Sequence, residues 1–278
     1  MSAALQEIVE WRGVEGLVAA EILTDDNETG TGHGYTTGEV FAIAGVAEIS
    51  KSVDSSSEAH FYDNIPAVVI QGNGADTITV SASAIPLDVQ ANLTGQYYDD
   101  DLGTFVEGEP VQKYFALGYI TEKTNGDKVY VWRHKGTFAL GDQTNATKNA
   151  GTDANGQELT YTGISTTHKF AKTGKPAKAI NVDLGKDLAD VSSFFDTVTT
   201  IDTLVGKTAY TLTITQAADT TVTVKKNGAA LASGATIHAG DHLEITVTGG
   251  TVTVGGVAFT SGDIHVVTGN TAVVSTKT

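Results

Sequence analysis

Three potential metal ligands fall within five residues at His238-Ala239-Gly240-Asp241-His242. The zinc-peptidase helix pattern, with Glu beside the first His, is absent. The run sits at a turn between strand-like segments, where the two His side chains need not converge. It reads as polar turn residues. Asp25-Asp26-Asn27-Glu28 and Asp99-Asp100-Asp101 are rich in oxygen ligands. Neither has the alternating spacing and twelfth-position Glu of a calcium loop, so each reads as a solvated acidic turn. Gly30-Thr31-Gly32-His33-Gly34 has the glycines of a phosphate loop but not the Gly-Lys-Ser/Thr ending or the strand-to-helix setting. There is no Gly-x-Ser-x-Gly elbow, the seven His residues are scattered, and nothing singles out a glycosidase carboxylate pair. The chain is therefore expected to be no enzyme and to carry no catalytic, cofactor or metal site.

Charge is more informative. The 278-residue chain has a net charge of −16. Residues 204–278 hold four basic side chains (Lys207, Lys225, Lys226, Lys277) and four acidic ones (Asp219, Asp241, Glu244, Asp263), so the whole imbalance lies in 1–203. Gripping nucleic acid needs a concentration of Lys and Arg, which that part lacks. The split predicts two domains, 1–203 and 204–278. An apolar content of 40% gives material for a core in each. The absence of cysteine excludes disulfides and thiolate metal sites. Glu7 and Glu10 fall where a secretion signal needs an apolar run, and no apolar stretch reaches the ~20 residues of a membrane helix.

The elements that must position any surface are mainly strands. Thirty-one glycines, four prolines and many Thr and Val favour short strands and tight turns. Residues 24–38 form a polar, Gly-rich loop. Strand alternation over 46–54 sets Ala47, Ile49, Lys51 and Val53 against Glu48, Ser50, Ser52 and Asp54. The stretch 76–84 repeats it, with Ile78, Val80 and Ala82 opposite Thr77, Thr79, Ser81 and Ser83. Pro86–Thr94 predicts a short helix that Gly95 stops, with Leu87 and Ala91, joined by Val89 and Leu93, facing the core. Tyr114–Glu122 and Lys128–Phe138 predict a hairpin, Asn125-Gly126 supplying positive φ at both turn centres. Residues 141–157 contain no large apolar side chain and read as a long functional or disordered loop. Strand returns over 159–170. Leu188, Val191, Phe194, Phe195 and Val198 recur at helical spacing, predicting an amphipathic helix that covers a sheet. From about residue 204 the chain reads as short strands and turns only, a small β-sandwich.

Several motifs follow one another with a characteristic order. They are Leu87-Asp88-Val89-Gln90-Ala91-Asn92-Leu93-Thr94-Gly95, Tyr98-Asp99-Asp100-Asp101-Leu102-Gly103, Ala116-Leu117-Gly118-Tyr119, Tyr130-Val131-Trp132 and Lys135-Gly136-Thr137-Phe138. Their order and spacing, over roughly residues 40–200, resemble the major tail (tail-tube) proteins of long-tailed phages of Gram-positive bacteria. The resemblance implies a β-sandwich or half-barrel flanked by a helix. It also implies hexameric rings stacked into a tube that conducts DNA at genome ejection. The partners implied are other copies of the chain and further tail proteins such as the tape measure and tail terminator. DNA passes without specific binding, no membrane is involved, and the location is the virion tail after synthesis in the host cytoplasm. Residues 204–278 lie outside the core of the resemblance. They look like the immunoglobulin-like decoration of some tail proteins, which projects outward, is dispensable for the tube, and could contact host surface glycans weakly.

A tube must let DNA slide. Carboxylates repel phosphate over a Debye length of ~10 Å at 0.1 M salt, and uncharged hydroxyls beside them add no attraction of charge. The polar faces Glu48/Ser50/Ser52/Asp54 and Thr77/Thr79/Ser81/Ser83 are the candidates for lining such a channel. They fit an ordinary solvated outer face equally. A rival reading is a carbohydrate-binding or adhesin-like β module built on 204–278. Against it, Tyr210 and Phe259 are the only aromatics there and both fit core positions. An acidic β-rich hydrolase is a second rival, with no residue pair to support it.

Overall fold

A computed structural model of the chain describes residues 8–62, 65–141 and 156–277. It is mainly β and divides into two compact units, 1–204 and 205–278. The loop predicted at 141–157 lies, but for its ends, outside the described residues.

The first unit runs β1 (Trp11–Asp25), β2 (Tyr35–Thr37), β3 (Phe41–Ala42), β4 (Val46–Tyr62), β5 (Ile65–Ala82), α1 (Leu87–Thr94), β6 (Tyr97–Asp99), β7 (Thr104–Val106), β8 (Phe115–Lys123), β9 (Lys128–Leu140), β10 (Gln157–Ile164) and β11 (Ala179–Asp183). Nine strands form one sheet in the order β2-β1-β8-β9-β10-β5-β4, with β11 also on β9 and β3 on β1. β9 is long enough to serve two neighbours along one edge. Val129–Arg133 pairs with β11, and Lys135–Leu140 pairs with β10. β6 and β7 make a separate small hairpin.

The sheet is curled. Leu17 and Ala19 of β1, Ile78 and Val80 of β5, Phe115 and Leu117 of β8, Val131 of β9 and Leu159 and Tyr161 of β10 share one buried cluster. Val46 and Ile49 of β4, from the far end of the sheet, pack on the same cluster. Strands from both ends reach one core only if the sheet wraps round it as a half-barrel. α1 closes one end by adding Leu93, with Ile85 just before it. A second core lies on the outer side of β1, β8 and β9, where Trp132, Ile180, Phe194 and Val198 meet.

Most predicted elements are present, although the strand predicted over 159–170 ends at Ile164, and three further corrections follow. α1 starts after Pro86 and stops at Gly95 in the left-handed conformation (φ 67°). However, Leu87 is exposed, and the side chains turned inward are Gln90, Ala91 and Leu93. Gln90 is accommodated because its amide donates to the Ile85 carbonyl at 2.6 Å. The β8–β9 turn has positive φ at Gly126 but not at Asn125. Gly126 N–H donates to Lys123 O, and Lys123 N–H donates to Asp127 O, which is a type I turn followed by a one-residue bulge.

The predicted helix at 188–198 is absent. The segment is a chain of turns, with Phe194 N–H donating to Val191 O and Asp196 N–H to Ser193 O. The Phe194 carbonyl, which a helix would need, accepts instead from the Trp132 indole (2.9 Å) and the Thr199 hydroxyl (2.9 Å). Asp190 takes the Ser192 N–H in competition with the helical ladder. Phe194 and Val198 are still buried on the sheet, so the predicted cover is real although its backbone is not helical.

The second unit comprises β12 (Ala209–Thr215), β13 (Thr221–Lys226), β14 (Ala229–Leu231), β15 (Thr236–His238), β16 (His242–Thr248), β17 (Gly250–Val254), β18 (Val257–Phe259), β19 (Ile264–Val266) and β20 (Thr271–Lys277). Sheets of order β15-β12-β20-β17-β18 and β14-β13-β16-β19 enclose a core of Leu212, Val224, Ile237, Leu243, Ile245 and Val273. Tyr210 and Phe259 pack against that core.

Gly136 is a tight point of the first core. A Cβ placed there would lie 2.4 Å from Tyr161 Cζ and 2.5 Å from the Thr162 carbonyl. Gly136→Ala should lower the unfolding free energy by about 2 kcal/mol or more. Both tryptophans, Trp11 and Trp132, lie in the first unit. Urea unfolding followed by tryptophan fluorescence therefore reads the change there alone.

Candidate functional site

The two polar faces predicted separately are one surface. β4 and β5 are antiparallel, and Glu48 pairs with Ser81, Ser50 with Thr79, and Ser52 with Thr77. Directly opposed residues share a sheet face. The face continues across β10, where Ser81 meets Glu158, Thr79 meets Thr160 and Thr77 meets Thr162. It reaches β9 at Ala139 and Thr137. Alternation forces the other residues inward, where Ile78, Val80, Leu159 and Tyr161 are fully buried.

Two of the eight predicted residues do not belong to this face in the same way. Asp54 sits where the register breaks between Val53 and Ser55, at a bulge. Ser83 lies beyond the end of β5 and spends its hydroxyl on the Gly45 N–H at 3.1 Å. Glu158, Thr160, Thr162 and Thr137 complete the face and were not singled out from the sequence. The signal was there: Gln157–Ile164 alternates Leu159 and Tyr161 with Glu158, Thr160 and Thr162.

The face carries two carboxylates, Glu48 and Glu158, and rows of Ser and Thr hydroxyls; Lys135, at its margin beside Thr137 on β9, is largely buried and paired with Asp25. The nearest basic residue of β4, Lys51, has the opposite parity and turns inward, 3.9 Å from Asp76. Beneath the sheet Asp76 gathers three cations. Arg133 Nη1 donates to Oδ2 at 3.1 Å, Lys178 Nζ donates to Oδ1 at 3.0 Å, and Lys51 stands by. Arg133 Nη2 reaches the Tyr119 hydroxyl at 3.4 Å, whereas the buried Nε has no partner among the described residues.

An opening of about 560 Å³ lies between β1 and β4, away from α1. Trp11, Arg12, Val14, Ile49, Lys51, Tyr119, Val131 and Arg133 are among the residues that line it.

A family model for the phage tail tube protein matches residues 22–210, more than half of the chain. The chain belongs to the phage tail tube protein family. The match spans β2 to β11 and the turns that cover Trp132, and it ends at the start of β12. No curated protein matches the chain. A structural tail tube family implies a structural, non-enzymatic role in the virion tail, with self-assembly and other tail proteins as partners. Among the described residues no helix is long and apolar enough to cross a membrane.

In this tail tube protein the oxygen-rich segments are used to fasten loops. Asp25 accepts from Thr167 N–H, His168 N–H and the Lys135 ammonium. Burial alone would raise its pKa, but those donors outweigh burial and lower it. Asp26 accepts from Glu28 and Gly34 N–H, and Asn27 bridges Thr167 O and Lys169 N–H. Asp99 holds the β6–β7 turn by accepting from Asp101 and Leu102 N–H. Asp241, buried, accepts from His238 N–H and pairs with Lys226 at 2.7 Å. No group of three metal-ligating side chains converges among the described residues.

His134, next to Arg133, is enclosed by Tyr35 and Phe170 with ring centroids 5.7 and 5.2 Å away. Burial, then the Arg133 charge, push its pKa down to about 4. In the unfolded chain it protonates near 6.5, so the unfolded state binds more protons between those values. Stability should be intact above pH ~6.5 and fall progressively toward pH ~4, by on the order of 3 kcal/mol at ~1.4 kcal/mol per unit. Urea midpoints of the first unit from pH 7.5 to 4.5 check this, and His134→Phe should flatten the decline.

Proposed function

We propose that residues 1–203 form hexameric rings stacked into a phage tail tube that conducts DNA at genome ejection. The polar face of β4, β5, β10 and β9 lines its lumen. The observation that carries the reading is the continuity of that face over four strands with no exposed cation. DNA-binding proteins need Lys and Arg at the backbone. A face of hydroxyls with two carboxylates offers none, so a duplex can pass without arrest. β4 ends the sheet, and a strand edge of this length is a template for pairing with another chain. Repetition of one head-to-tail contact closes a ring or extends a stack. Six such faces edge to edge make about 24 strands, and at ~4.8 Å per strand the backbone circle is ~37 Å across before tilt. That is wide enough for double-stranded DNA.

Residues 204–278, proposed as an immunoglobulin-like decoration, take no part in tube building. Negative-stain microscopy of the concentrated protein should show rings or tubes, and a chain ending at Thr203 should do the same. A protein that stays monomeric or dimeric at every concentration overturns the tube reading.

The absence of native cysteine allows the lumen assignment to be tested directly. Ser50→Cys and Thr79→Cys should react with a bulky maleimide in the dispersed subunit and be shielded from it in tubes, while a small maleimide labels both states. Thr251→Cys, in the second unit, should react in either state. Unchanged labelling of the two thiols introduced on β4 and β5 by the bulky reagent in tubes would place the face outside.

A further inference from the structure

The half-barrel of the first unit has two unlike ends. At one end α1 plugs the core with Leu93, and Lys113 ties α1 to β1 by donating to Asn92 and Glu21. Beside α1 stands the β6–β7 hairpin. Its tip exposes Asp100, Asp101 and Leu102, the last 76% exposed, and its strands expose Tyr97 and Val106. At the other end the opening between β1 and β4 has an apolar floor of Tyr119, Val129 and Val131 and three cations, Arg12, Lys51 and Arg133. Glu48 is the one carboxylate in its lining. Arg12 is exposed with no ion-pair partner among the described residues, and Arg133 keeps its buried Nε unpartnered.

We infer that this opening is the docking site for the β6–β7 hairpin tip of a second copy. Leu102 enters over Tyr119 and Val129, and Asp100 and Asp101 meet Arg12 and Lys51. This rests on the self-assembling tube reading above and names the contact within it. Two facts select this occupant. First, copies with a net charge of −16 repel one another, so association needs a local patch of opposite sign, and Lys113, Lys123, Lys128 and Lys135 are already paired within the subunit. Second, the acidic, apolar tip and the cationic, apolar opening lie at opposite ends of one subunit. The contact is therefore heterologous and passes from copy to copy to build a ring or a stack, which an isologous dimer contact would not do.

Charge reversal tests the pairing in the full-length chain. Arg12→Glu with Lys51→Glu, and separately Asp100→Lys with Asp101→Lys, should each raise the concentration needed for assembly about tenfold, read by sedimentation velocity and microscopy. All four changes in one chain should restore assembly to nearly the native concentration. Arg12→Gln and Leu102→Ser, both at exposed positions, should weaken assembly more mildly and keep the native tryptophan fluorescence of the dispersed subunit. Assembly unaffected by either reversal overturns the inference while leaving the tube reading in place. So does a block by the opening variant alone, which would mean that another segment fills it. Failure of the four-fold variant to recover also overturns it. A native chain that never assembles removes the tube reading itself.

Discussion

The buried contact between Arg133 and Asp76 joins β9 to β5 beneath β10, and the register it helps to hold decides what each side of the sheet is. Side chains alternate at a period of two, so a slip of one residue would exchange the faces completely. Ile78, Val80 and Ala82 would move to the outside, and Thr77, Thr79 and Ser81 would be buried without partners. Asp76 fits only one register, because it needs Arg133 and Lys178 on either side of its carboxylate. Removal of one member would leave a charge stranded in the core, at a cost of about 3–5 kcal/mol. Close approach at Gly136 and Gly163 acts in the same direction. The Tyr161 ring occupies the space that a Cβ at either would need, and its hydroxyl donates to the Phe115 carbonyl at 3.0 Å. The polar face is thus a consequence of how the inner face is fastened.

What the sequence made legible follows from the range of the forces involved. Alternation and turn chemistry are local, so the short strands of the second unit, the β8–β9 hairpin and α1 could be read directly. Asn227 and Gly228 both adopt positive φ as such a pair should in a two-residue turn. The two polar stretches of β4 and β5 were also legible one at a time. Their pairing was not, because 55–75 lacks clean alternation and hides the continuation of one long hairpin. Glu158, Thr160 and Thr162 were visible as a pattern but gained meaning only when β10 was placed beside β5. The failed helix at 188–198 shows the limit from the other side. Its apolar spacing was sound and its aromatics are buried, but Trp132, some sixty residues upstream, takes the carbonyl that a helix would have used. No local pattern reports that.

The negative charge of the first unit is less a property of the polar face than its sequence total implies. Asp25, Asp26, Asp76, Asp99 and Asp183 are spent on cations or backbone donors inside the subunit, and Asp202 accepts from Ala171 and Lys172 N–H. Two carboxylates remain on the face itself. A surface meant to pass DNA needs to avoid attraction more than it needs to generate repulsion, since one exposed lysine per subunit becomes a ring of them in an assembly. In the proposed tube that demand is met chiefly by where the cations sit. Lys51 is turned beneath the sheet, Lys135 is paired with Asp25, and Arg133 and Lys178 are held by Asp76. Hydroxyls fill the remaining positions, and they carry no charge to hold a phosphate.

The edge of β4 also limits how copies can meet. Its register with β5 is broken at Val46/Glu48 and again at Val53/Ser55, leaving Glu48–Val53 as an uninterrupted stretch near the core. Bulges twist an edge away from a flat partner and so restrict pairing to the span between them. For a ring closed through this edge, the ladder is split into runs of about six residues, Glu48–Val53 and Ser55–His60, and the outward side chains of the first run are those of the polar face. Such a short ladder is marginal alone. A second contact between the unlike ends of the half-barrel would supply what the ladder lacks, and the two together favour growth of an ordered stack over open-ended edge aggregation. In the proposed tube the same bulges that weaken the edge would make assembly conditional on several contacts forming at once.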